Sequence, residues 1–173
     1  RMLFSIYGGH GSGAYDFPGY EEVNGDTPVF GAAVGWQMDG ILFLELGYMD
    51  LGEITETIVD PSNAPFLADS SVTTSMLDAS MGIEYPITRR VSFLTRLGVT
   101  GWHVEETYES VSGTSMDDDS GVDLIYGLGL RADLSKRVSA TLEYQMTSMS
   151  PDLFDELPML DYQMVTGGLH FAF

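Results

Sequence analysis

Eight segments of this chain, at about residues 2 to 11, 27 to 37, 41 to 52, 71 to 85, 91 to 106, 121 to 134, 138 to 148 and 162 to 173, alternate in character with a period of two. Only a β-strand places successive side chains on opposite faces, so each segment has two faces of different chemistry. Near the C-terminus, Val165, Gly167, Leu169, Phe171 and Phe173 share one face, and Met164, Thr166, Gly168, His170 and Ala172 share the other. Val138, Ala140, Leu142, Tyr144 and Met146 against Ser139, Thr141, Glu143, Gln145 and Thr147 repeat the split. An even number of strands lets an antiparallel meander close on itself and lose its exposed edges. The longest uninterrupted apolar run, Ile41 to Leu44, is far too short for a spanning helix, which needs roughly 18 residues or more. The expected fold is all-β: one eight-stranded antiparallel up-and-down barrel over residues 1–173.

The connections predict which face meets which solvent. After the second, fourth and sixth strands they are short (Met38-Asp39-Gly40, Pro86 to Arg90, Ser135-Lys136-Arg137), whereas after the odd strands they run to a dozen residues or more. Short periplasmic turns and four long extracellular loops are the layout of transmembrane barrels of the bacterial outer membrane. A soluble lipocalin-like barrel would point the apolar face inward and the other into water. That second face is too poor in charge for a wet surface, and its glycines, among them Gly47, Gly98, Gly127 and Gly129, suit a narrow interior. Trp36, Tyr48, Phe93 and Tyr144 are expected in the interfacial girdles. The barrel is therefore read as integral to the outer membrane with both termini periplasmic.

Charge is distributed unevenly. The net charge of −19, with only seven Lys and Arg, excludes binding to a nucleic-acid backbone. The four long connections, with the strand ends at Asp50, Glu105 and Glu106, hold 19 acids and no base, while the other seven acids balance the seven bases. Arg89, Arg90, Lys136 and Arg137 fall in the short turns. Contact with lipopolysaccharide phosphates would then require bridging divalent cations. Asp117, Asp118 and Asp119 form a possible cation-binding loop, although they lack the glycine-shaped ligand frame of calcium sites. With no cysteine there is no disulfide or thiolate site, and no cofactor is expected.

Several stretches resemble the transmembrane domain of the OmpA family: Gly31-Ala-Ala-Val-Gly-Trp-Gln37, Phe43-Leu-Glu-Leu-Gly-Tyr48, Tyr85-Pro-Ile-Thr88, Thr95-Arg-Leu-Gly98 with Trp102, and Leu142-Glu-Tyr-Gln145. The resemblance implies insertion through the C-terminal strand, with Leu169, Phe171 and Phe173 read by the barrel-assembly machinery. It also implies inward charges at Glu45, Arg96 and Glu143. Gly82 and Thr141 depart from it, standing where the family usually has bases, and Arg131 stands where it usually has an acid. The peptidoglycan-binding domain of many members is not present in this sequence, and the N-terminus reads as that of a mature chain.

Inward carboxylates need partners, so Glu45 and Glu143 are expected to pair with Arg96 and Arg131 and to fill the lumen, with Asp78 and Asp123 joining at its outer end. His10-Gly11-Ser12 could be part of a Ser-His esterase like the lipid A deacylases, but no third member is evident. His103 reads as a rim residue and His170 as a lumen group. The expected function is a structural or interaction barrel and not an enzyme. Its expected partners are outer-membrane lipids and lipopolysaccharide, the assembly machinery, and an extracellular or outer-membrane protein. A small gated pore is the alternative, and a lipid hydrolase ranks third.

Overall fold

The computed structural model describes residues 1–15, 23–38, 40–59, 67–110, 113–149 and 160–173. They form β1 (Met2–Tyr15), β2 (Val23–Met38), β3 (Leu42–Val59), β4 (Leu67–Pro86), β5 (Val91–Ser110), β6 (Gly113–Asp133), β7 (Val138–Met149) and β8 (Leu160–Ala172). Each strand pairs antiparallel with its sequence neighbours, and β1 closes the barrel on β8 from Leu3↔Ala172 to Ala14↔Asp161. Closure satisfies the backbone groups that an open edge would leave bare, a requirement for any sheet in an apolar solvent.

One end of the barrel is finished by short turns. The β4–β5 and β6–β7 turns use the same device. Thr88 Oγ1 accepts from the Arg90 and Val91 amides, and Ser135 Oγ accepts from those of Arg137 and Val138. Both turns read hydroxyl, base, base, valine. A Ser or Thr hydroxyl bonded to a nearby amide stabilises a tight reversal, which leaves the following bases exposed.

At the other end the strands run well past the expected boundaries. β3 continues to Val59, β4 begins at Leu67, β5 continues to Ser110 and β6 begins at Gly113. Residues rich in Ser, Thr, Gly and acids had suggested loops here. Strand preference is set largely by what lies alongside, and each of these segments has a neighbour to continue the ladder. A bulge at Asp50/Glu53, with Gly52 at φ 75° and its amide held by Asp50 Oδ1, lets β3 bend as it leaves the barrel.

Outward residues form a continuous apolar belt that includes Phe4 and Ile6 on β1, Val34 and Trp36 on β2, Leu44 and Leu46 on β3, Met81 and Ile83 on β4, Leu97 and Val99 on β5, Leu128 and Leu130 on β6, Leu142 on β7 and Leu169 on β8. Four or five outward positions per strand, at about 3.3 Å per residue and a tilt near ~40°, match the ~25 Å apolar band of transmembrane barrels. No water-soluble surface exposes an unbroken apolar ring of this kind. Of the residues expected in the girdles, Trp36, Tyr48 and Phe93 lie exposed on this belt and Tyr144 is half-buried. Toward the extended end the same face turns polar at His10, Asp26, Asp50, His103 and Asp161.

Leu128→Arg, in mid-belt, is expected to destabilise the barrel in lipid vesicles by about 2–4 kcal/mol in reversible urea unfolding. Met116→Arg, on the extension, should change it by less than about 0.5 kcal/mol.

Candidate functional site

The lumen is filled in layers. Nearest the short turns, Arg131 Nη1 lies 3.1 Å from Glu84 Oε2 and its Nε donates to Ser139 Oγ at 2.8 Å. Gln37 Nε2 donates to the same Glu84 oxygen at 3.1 Å. The expectation that Arg131 serves Glu45 or Glu143 is therefore corrected. Arg131 enters the lumen close to the β6–β7 turn, and Glu84, near the end of β4, is the carboxylate in reach.

The next layer centres on Arg96. Its Nη1 lies 2.8 Å from Glu45 Oε1, and its Nε and Nη2 lie 2.6 and 3.2 Å from the two Glu143 oxygens. All three residues are less than 10% exposed. Gln145 Nε2 donates to Glu143 Oε1 at 2.5 Å. Ser5 Oγ sits 3.5 Å from Glu45 Oε2 and 2.6 Å from His170 Nδ1, and His170 Nε2 is 2.9 Å from Thr141 Oγ1. Thr141 thus makes a hydrogen bond where a base would bring a charge.

Gly82 makes room beside Arg96. It lies directly across β4–β5 from Arg96, and a Cβ there would come within 2.2 Å of the Phe43 ring. The missing side chain lets that ring lie 5.7 Å from the guanidinium carbon, within cation–π range. Gly127, across from Arg96 on β6, clears the opposite side.

Toward the extended end the chemistry changes. Val29, Met49, Leu51, Met76, Trp102, Val104, Ile125, Tyr162 and Met164 form one buried apolar cluster inside the barrel. Sequence reasoning missed this plug. Its trace was there: near Tyr48-Met49 and Met76-Leu77 the alternation fades, because both faces are apolar. Trp102 Nε1 donates to Asp123 Oδ2 at 2.7 Å, and Thr27 and Tyr162 hydroxyls meet at 2.7 Å. Asp123 therefore joins Trp102 and not an arginine. Asp78, expected in the network, has no hydrogen-bond partner on either oxygen among the described residues.

Between the plug and the short turns, the free space lined by Leu3, Glu45, Arg96, Arg131, Glu143 and His170 is about 10 Å³, room for one water at most. Larger hollows, such as one walled by Leu44, Met81 and Leu97, lie on the outward apolar belt.

Beyond the belt the barrel divides. The β2–β3 ladder ends at Phe30↔Asp50 and the β6–β7 ladder at Ile125↔Thr147, while β3, β4, β5 and β6 continue together as a four-stranded extension. Glu53, Thr73, Glu105 and Asp118 lie side by side across it, all exposed, and Glu106 is paired with Asp117. Like charges directly opposite one another disfavour pairing, so water and ions must screen them.

Asp117, Asp118 and Asp119 are strand residues of β6, not a loop. Successive strand side chains point to opposite faces, so the three carboxylates cannot converge on one ion. Among the described residues no group of three His, Asp or Glu is placed to hold a metal. His10 Nε2 lies 3.6 Å from Asp26 Oδ2, and Asp26 is paired with Ser12, so an acid does accompany the histidine. Among the described contacts none joins Ser12 to His10. His103 is exposed at the rim and lies 3.6 Å from Glu105. Leu169, Phe171 and Phe173 line the outward face of β8.

Arg96→Ala should cost about 3–5 kcal/mol by leaving two buried carboxylates unpaired. In double-mutant cycles read by unfolding in vesicles, Arg96 and Glu143 should couple, whereas Arg96 and Glu84, in separate clusters, should add within about 0.5 kcal/mol.

Comparison with known proteins agrees with this fold. Outer membrane protein A of Klebsiella pneumoniae is 29% identical over 171 residues, covering 95% of this chain and 47% of its own length. That of Serratia marcescens is 27% identical over 172 residues, covering 95% and 46%. The chain thus spans about half the length of the curated relatives it matches. Among solved structures, Ail of Yersinia pestis superposes with a TM-score of 0.62 at 15% identity over 98% of both chains. Neisserial surface protein A gives 0.67 at 11% identity over 99% of this chain and 97% of its own. Both are similar in fold. A profile match over residues 4–173 covers nearly the whole chain, which therefore belongs to the outer membrane protein beta-barrel domain family.

Proposed function

We propose that the chain is a non-catalytic anchor of the outer membrane, a filled barrel that holds an acidic strand extension outside the cell. The observation that carries this reading is the division of the lumen into two ion-paired clusters and an apolar plug, with the unbalanced acids beyond them on β3 to β6. A lumen packed in this way offers ions no continuous wet path. In this reading the short turns and termini are periplasmic, and Leu169, Phe171 and Phe173 serve as the barrel-assembly signal.

The charge of the extension selects its partners. Ail of Yersinia pestis has been solved with the heparin analogue sucrose octasulfate, a polyanion. Residues 12–26, 50–70, 105–120 and 149–161 of this chain contain 19 acids and no Lys or Arg, so a polyanion would be repelled. Divalent cations bridging to lipopolysaccharide phosphates, or a basic face on an extracellular or outer-membrane protein, fit that charge. The gated-pore alternative has less support, because opening would require both Arg96 and the plug to move.

In planar bilayers the wild-type barrel should be electrically silent, and Arg96→Ala should remain so while the plug stands. Steady single-channel currents that change in Arg96→Ala would instead establish a pore. Binding to lipopolysaccharide-containing vesicles should require magnesium and should weaken about tenfold when Glu53, Glu105, Glu106, Asp117 and Asp118 are replaced by their amides. Equal binding in the presence of a chelator would refute bridging.

A further inference from the structure

The charged groups buried in the lumen do not balance. Among the described residues, Glu45, Asp78, Glu84 and Glu143 are the buried carboxylates, and Arg96 and Arg131 the buried guanidiniums. Glu84 is matched by Arg131, and Glu45 and Glu143 share Arg96. His170 has both ring nitrogens engaged by hydroxyls, and even a charged His170 would leave one carboxylate over. Two negative charges are thus in excess, or one if His170 is charged, and Asp78, 1% exposed, is the carboxylate without an ion-pair partner among the described residues. An uncompensated charge in so dry a place would be strongly destabilising.

Its neighbours are also oxygens without partners. Asp78 is paired across β4–β5 with Thr100, and Ser80 lies two residues along the same face of β4. Both Asp78 oxygens, Ser80 Oγ and Thr100 Oγ1 are buried and unpartnered among the described residues. Directly paired inward positions have Cβ atoms about 4.5–5.5 Å apart, so these oxygens share one small region. On the β3 side, an Asp78 oxygen and the Tyr7 hydroxyl lean over Gly47, 2.5 and 2.9 Å from where a Cβ would stand. On the β6 side, Asp123 lies across from Thr100, with one oxygen already taken by Trp102.

We propose that this cluster of buried oxygens binds a monovalent metal cation, held by Asp78, Ser80 and Thr100 between the Arg96 layer and the apolar plug. A cation uses lone pairs on the carboxylate and the hydroxyls together, and it offsets the charge of Asp78. Hard oxygen donors suit a cation such as sodium. One carboxylate with neutral hydroxyls suits a single charge better than calcium, which draws on more acidic ligands. The plug residues Met76 and Trp102 follow Asp78 and Thr100 directly on the same face, so the ion is shielded from the extended end.

Crystals of the barrel grown with rubidium in place of sodium test the proposal. An anomalous peak at Asp78, Ser80 and Thr100 is expected. A map with no peak there, or with an ordered water alone, would overturn it. In micelles, sodium chloride should raise the unfolding midpoint relative to equal N-methylglucamine chloride, which screens the acidic rim equally but is too large to enter. Asp78→Asn should abolish that difference. Thr100→Val, which keeps the charge, should raise the half-saturating sodium concentration by about tenfold, and it decides the matter if Asp78→Asn does not fold. An unchanged sodium response in both variants would exclude the site.

Discussion

An apolar solvent around a closed eight-stranded sheet reverses the usual assignment of inside and outside, and the rest of the molecule follows from that reversal. Every backbone donor within the belt must find a neighbouring strand, which makes closure of β1 on β8 obligatory. Each strand then has one face for lipid and one for a narrow interior. Polar side chains within the belt can only go inward, where there is little water to receive them. They must therefore satisfy one another.

The lumen meets this demand with two kinds of chemistry. Toward the short turns, charge is paired with charge: Glu84 with Arg131, and Glu45 and Glu143 with Arg96, cushioned by hydroxyls, amides and the Phe43 ring. Toward the extended end the filling is Met49, Met76, Met164, Trp102 and their neighbours, packed as in a soluble core. The first half ties opposite strands together through directional bonds, and removing either member of a pair leaves a stranded charge. The second half excludes water through ordinary apolar burial. Unbranched methionines suit the irregular space where the barrel begins to divide.

Beyond the belt the constraint relaxes, and the sequence changes with it. Glu105 can face Asp118, and Glu106 can face Asp117, because water screens them and the ladder between β5 and β6 is already formed by its backbone. The bulge at Asp50/Glu53 and the ends of the β2–β3 and β6–β7 ladders release β3 to β6 as a separate sheet. Such an acidic sheet on a rigid base can present charge without needing to reorganise. In the function proposed above, this is what the acidic extension needs.

The alternation of Val138 to Thr147 and of Met164 to Phe173 determined by itself that there would be strands with two faces. Their even number allowed an antiparallel meander to close, and the contrast between short and long connections indicated which solvent each face meets. These features are local, and a period of two survives any tertiary context. The sequence also placed Glu45, Arg96 and Glu143 on one inward face. It could not decide that Arg131 would take Glu84, that Asp123 would accept from Trp102, or that Asp78 would be left without a donor. Those outcomes depend on which strands stand opposite across the lumen and on how far each side chain reaches. The extended strands escaped notice for a related reason: the ladder that stabilises 53 to 59 and 113 to 119 comes from neighbours, not from their own residues. The two faces were thus written in the chain, and the partners across the interior were set only when the barrel closed.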